Sequence, residues 1–123
     1  MSRPFAFAEG EFYHLYNRGT EKRKIFLSER DYERFISLMF LSNSSQAVDV
    51  KLQGSNLDEI LQNDRGKPLV AIGAYCLMPN HFHLLACEIT KGGISKFMQK
   101  MTTGYTMYFN QKQKRVGPLA HVI

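Results

Sequence analysis

Two histidines separated by one residue, His81 and His83, are the side chains of this sequence best placed to do chemistry. A neutral imidazole is a common metal ligand, and it is available near physiological pH. In an extended strand successive side chains point to opposite faces, so His81 and His83 share one face and Phe82 enters the other layer. Two imidazoles side by side on one face can hold a divalent ion. Phe82, Leu84 and Leu85 would anchor that strand in an apolar layer, which makes the ligand positions rigid. On the residues alone, two strand histidines without a ligand give the same spacing, and both readings stay open at this point.

The elements that must position the pair follow from the flanking sequence. Pro79 cannot donate to a ladder and Asn80 tolerates turn geometry, so Met78-Pro79-Asn80 is the turn before the histidine strand. Residues 69–77 are almost wholly apolar and form the strand before it. Residues 69–77 and 81–89 are therefore expected as a hairpin in the middle of a sheet. Further back, residues 12–17 are rich in aromatics and read as a strand, closed by an Asn17-Arg18-Gly19 turn. Ser28 and Asp31 have capping-box spacing, with Asp in place of the preferred Glu or Gln. Tyr32, Phe35, Leu38, Met39 and Leu41 then recur at helical intervals, predicting a helix over about 29–43. Residues 42–68 are polar and read as a long, partly mobile connection with a short helical piece at 57–61. From Ile94 the apolar residues Phe97, Met98, Met101, Tyr105, Tyr108 and Phe109 mark an amphipathic helix. A short strand is expected near 118–123. The order is that of an α+β layer, an antiparallel sheet with helices on one face.

The 123 residues suit one domain over 1–123, with residues 1–10 as a loosely held arm, and the 44% of hydrophobic residues are enough for one core. No apolar run is long enough to span a bilayer, and the first residues lack the apolar segment of a secretion signal, which points to the cytoplasm of a bacterial-type cell. Cys76 and Cys87 both fall in predicted strands and read as reduced core residues. Net charge is +5, and no acidic residue follows Glu88, whereas Lys91, Lys96, Lys100, Lys112, Lys114 and Arg115 do. A one-signed C-terminal third suggests a polyanionic partner. Arg18 could contact phosphate or pair with Glu21.

The string Leu77-Met78-Pro79-Asn80-His81-Phe82-His83-Leu84-Leu85 resembles the His-hydrophobic-His motif of the HUH single-tyrosine transposases, in the branch associated with repetitive extragenic palindromes. Tyr13-His14-Leu15-Tyr16-Asn17-Arg18-Gly19 resembles that branch's first strand, which lies beside the metal-binding strand. Ile94-Ser95-Lys96-Phe97-Met98-Gln99-Lys100, Tyr105-Thr106-Met107-Tyr108-Phe109-Asn110 and Arg115-Val116-Gly117-Pro118-Leu119 resemble it too. The resemblance covers residues 12–41 and 69–119. It implies a ferredoxin-like fold and DNA transposition by metal-dependent cleavage and strand transfer of single-stranded DNA that carries a hairpin. It implies Mg²⁺ or Mn²⁺ on His81 and His83, and a homodimer. Asn17, Arg18, Lys96, Lys100, Lys112 and Arg115 are the residues expected to meet DNA.

In the resembling family the nucleophilic tyrosine and a third metal ligand sit on a later helix, in a string like Tyr-Ile-x-x-Asn followed by Pro. This sequence has no such string and is expected to lack that helix. Tyr105 is the fall-back nucleophile, although its place on the apolar stripe of the last helix should turn its hydroxyl towards the core. The alternative expectation is a non-catalytic DNA-binding remnant or regulator derived from such a transposase.

Overall fold

The computed structural model describes residues 7–46, 57–62 and 66–122. Much of the predicted mobile connection lies outside the described residues. The elements are β1 (Phe12–Gly19), α1 (Glu29–Leu41), α2 (Leu57–Leu61), β2 (Val70–Met78), β3 (His81–Glu88), α3 (Gly93–Gln113) and β4 (Ala120–Val122). The strands form one antiparallel sheet in the order β2-β3-β1-β4. This βαββαβ succession with both long helices on one face is a ferredoxin-like α+β fold.

The two-residue alternation of β3 decides which side is the core. Phe82, Leu84 and Ala86 are buried against the helix layer, where Phe35 and Leu38 of α1 and Phe97, Met101 and Tyr105 of α3 meet them. Burying Phe82 and Leu84 contributes on the order of 2 kcal/mol each. The opposite face of the sheet carries no helix among the described residues.

Several expectations are corrected. The β2–β3 hairpin is not central: β3 is internal, but β2 is an edge strand. Asn17, Arg18 and Gly19 are not a turn. They extend β1, and the chain turns at Thr20–Lys22 instead. Gly19 is required there because an added Cβ would lie 2.0 Å from the carbonyl oxygen of Arg23. The Ser28–Asp31 capping box does not form. Asp31 instead accepts the Leu27 N–H through Oδ2 at 2.8 Å. Residues 42–44, read as polar loop, are buried. Asn43 explains why: its Oδ1 accepts the N–H groups of Leu69 and Val70, and its Nδ2 donates to the Val70 carbonyl. One side chain thus ties the end of α1 to the start of β2. Residues 7–10 of the expected arm are held, since Gly10 N–H donates to Glu88 O and Phe7 packs edge-on against Tyr13, and residues 1–6 lie outside the described residues.

Glu88 closes β3 and opens α3. Its carboxylate accepts the N–H groups of Gly92 and Ile94 at 3.1 and 2.6 Å, satisfying helix-start donors and facing the positive end of the helix dipole. No helix is long and apolar enough to cross a membrane among the described residues. Cys76 and Cys87 are free, but they are not core residues. Both lie on the uncovered side of the sheet, Cys76 exposed and Cys87 half-buried.

Candidate metal centre and nucleic-acid face

His81 and His83 stand on the uncovered face of β3, one pleat apart, with ring centroids 4.9 Å apart and planes nearly perpendicular. Antiparallel pairing puts Arg18 and Met78 opposite His81, and Tyr16 and Cys76 opposite His83. Directly opposite residues share a face. The alternation of β1 therefore delivers His14, Tyr16 and Arg18 to the same side as the histidines.

The tautomer of His81 follows from its partner. Its Nδ1 lies 2.7 Å from Asn80 Oδ1, which can only accept, so Nδ1 carries the proton and Nε2 keeps a lone pair. The Nδ1 of His83 lies 2.7 Å from Nε2 of His14. Tyr16 flanks this pair, with its ring 5.2 Å from that of His14 and 5.7 Å from that of His83. Partial burial, followed by the neighbouring imidazoles of His14 and His81, holds the His83 pKa below its ordinary 6.5. The neutral imidazole, the form that ligates, is thereby favoured. His81 and His83 fit a divalent cation as a two-nitrogen donor set. Among the described residues no group of three or more His, Cys, Asp or Glu side chains is arranged to hold a metal ion.

The helix-borne candidates lie elsewhere. Tyr105 is 3% exposed on the core side of α3 and donates its hydroxyl to the Ile25 carbonyl at 2.5 Å. Burial, then the Asp31 carboxylate, pushes its pKa far above the ordinary 10. Tyr108 donates to Asp31 Oδ1 at 2.6 Å, and burial followed by that bond raises its pKa to about 12. The sheet separates both hydroxyls from His81 and His83. Lys100 donates to the carbonyls of Ser44 and Gln46 at 2.6 and 2.7 Å. Lys112 pairs with Asp31 at 2.5 Å. Arg115 bonds Asn110 and the Pro118 carbonyl. These three cations work inside the fold. Lys96 stays exposed on the outer side of α3, across the molecule from the histidines. Asn17 is 1% exposed and faces the helix layer, where its amide has no hydrogen-bond partner among the described residues. Arg18 is exposed beside His81 and forms no ion pair with Glu21.

His14 and Tyr16 are the residues that sequence reasoning missed. The signal was present in the His14, Tyr16, Arg18 alternation, which puts three polar-tipped side chains on one face. Their meeting with His83 needed the register between β1 and β3.

The class that fold and site define is a ferredoxin-like α+β domain with a histidine pair and an arginine on the uncovered face of its sheet. The chain matches the family described as "Transposase IS200 like" over residues 12–119 and belongs to it. Membership places it with the proteins of DNA transposition. No curated protein matches the chain, and no solved structure does.

Proposed function

We propose that the chain binds single-stranded DNA, with a hairpin beside the reactive phosphate, across the uncovered face of the sheet, and takes part in its metal-dependent cleavage and strand transfer. The observation that carries the reading is the histidine pair: both Nδ1 atoms are engaged by neighbours, and Nε2 is the atom left for a ligand. A bound Mg²⁺ or Mn²⁺ would supply Lewis acidity to a scissile phosphate oxygen. His81 and His83 would hold the ion, and Arg18 beside them would grip an adjoining phosphate through its planar fork. The exposed rings of Tyr16 and Phe12 offer stacking surfaces for unpaired bases. The reaction is attack by a tyrosine hydroxyl on phosphorus, which forms a 5′-phosphotyrosine and releases a 3′-hydroxyl. Its nucleophile comes from a segment other than α3.

Incubation with a labelled, hairpin-flanked oligonucleotide and Mn²⁺ is the test. The strand should be retained in a manner that depends on the ion and on His81. Any label that migrates with the denatured protein should survive Tyr105→Phe, since that hydroxyl is buried on the core side of α3. A covalent label that disappears in Tyr105→Phe would overturn this placement of the nucleophile. Retention indifferent both to Mn²⁺ and to His81→Ala would leave a DNA-binding remnant or regulator as the better description.

The proposed assembly is a homodimer. Among the described residues no strand pairs with the outer edge of β2, an uncharged ladder over Val70–Met78 that is a template for another strand. Light scattering at micromolar concentration is expected to give the mass of two chains, and a single-chain mass would remove the claim.

A further inference from the structure

We propose that His14 is a positioning residue whose Nε2 accepts the Nδ1 proton of His83 and so keeps the His83 Nε2 lone pair free for the cation. The inference rests on the metal reading above and extends it to a residue on another strand.

The contact has the geometry of an in-line hydrogen bond. His14 Nε2 and His83 Nδ1 are 2.7 Å apart, the ring planes differ by 17°, and the centroids are 4.9 Å apart. That centroid separation is the length of the contact plus the two ring radii. The imidazoles therefore meet edge to edge in nearly one plane. An N–H···N bond between neutral imidazoles has two proton placements. With the proton on His14 Nε2, His83 must carry its own proton on Nε2 and is closed to a cation. With the proton on His83 Nδ1, the His83 Nε2 lone pair is open. A ligating His83 requires the second placement.

His81 has the same arrangement by a local route, since Asn80 Oδ1 takes its Nδ1 proton. Metal-bound histidines regularly donate their other N–H to such an outer partner, which fixes both tautomer and ring orientation. His83 has no such neighbour in sequence. Its partner comes from 69 residues away because Tyr16 sits opposite His83 in the β1–β3 ladder, which leaves His14 one pleat further along the same face. Tyr16 contacts both rings and limits their rotation. His14 lies outside the core, so replacing it should leave the fold intact.

The test combines Mn²⁺ titration with ¹⁵N NMR of the metal-free and the diamagnetic Zn²⁺-loaded protein. His14→Phe is expected to weaken Mn²⁺ binding by roughly 10- to 100-fold. His14→Gln, whose side-chain oxygen can still accept the Nδ1 proton, should restore most of that affinity. In the Zn²⁺ form of the parent, the proton should reside on His83 Nδ1, with a ¹⁵N–¹⁵N coupling across the bond to His14 Nε2. Thermal melts of both variants should match the parent. Equal Mn²⁺ affinity in the parent and His14→Phe would overturn the proposal. Equal losses in His14→Phe and His14→Gln would overturn it in favour of His14 as a direct ligand. A parent that shows the ¹⁵N–¹⁵N coupling but binds neither ion would overturn the metal reading itself, and would leave the pair as a clip between strands.

Discussion

His83→Ala and His81→Ala are each expected to lower Mn²⁺ affinity by more than the roughly 100-fold that loss of an outer-shell partner can cost. Each removes one of the two nitrogen donors that β3 supplies, and among the described residues no other His, Cys, Asp or Glu is arranged to complete a three-residue site. Both side chains are half-buried on the uncovered face and contribute nothing to the packed layer of Phe82, Leu84 and Ala86. Folding stability should therefore change by no more than about 1 kcal/mol, the scale of a surface substitution or one lost hydrogen bond. That contrast separates a ligand from a structural histidine. Titration calorimetry reads the affinity, and urea unfolding reads the stability. Unchanged Mn²⁺ binding in either variant would remove that histidine from the site. Large losses of stability in step with the loss of binding would assign the pair to the fold instead.

The part of the site on β3 was legible because it depends on a local rule. The period of two fixes His81 and His83 on one face and Phe82 on the other, whatever the rest of the chain does. The helices were legible for the same reason, and their apolar stripes predicted the buried Phe35, Phe97, Met101 and Tyr105. What escaped were choices among distant partners. The sequence shows that Lys100 and Lys112 leave the apolar stripe of α3. It does not show that Lys100 will meet carbonyls more than 50 residues away, or that Lys112 will meet Asp31 across 81 residues. A basic C-terminal third thus read as one DNA-facing surface, although Lys100, Lys112 and Arg115 hold the fold together. Asn43 escaped for a related reason. Within Ser-Asn-Ser-Ser it carries every mark of an exposed loop, and only the approach of β2 turns its amide into a buried clamp. The cysteines were misplaced because helices cover only one side of this antiparallel sheet, so even an apolar strand keeps one open face, and the register puts Cys76 and Cys87 there.

The second large effect is expected at Asp31, which no sequence signal marks beyond a helix start. Its side chain is fully buried, yet it stays ionised because three donors converge on it. Lys112 Nζ and the Tyr108 hydroxyl reach Oδ1 at 2.5 and 2.6 Å, and the Leu27 N–H reaches Oδ2 at 2.8 Å. Burial by itself would raise the carboxyl pKa, but these three bonds and the charge of Lys112 outweigh it and hold the pKa below the ordinary 3.8. Asp31→Ala leaves Tyr108 and the Leu27 N–H without their acceptor. It should destabilise the fold by about 3 kcal/mol, moderated because Lys112 is partly exposed and can turn to water. The pH dependence has a definite sign. A carboxyl whose folded pKa is depressed contributes stability that is fully present above its unfolded value and is lost as pH falls through the folded one. The gap between the parent and Asp31→Asn should therefore stay constant from neutral pH down to about 5, then narrow as the solution is acidified past the ordinary carboxylate range. Urea midpoints of the two proteins across that series measure the gap. A difference that does not change with pH would show that the charge on Asp31 contributes nothing, and that its bonds to Lys112 and Tyr108 act only through shape.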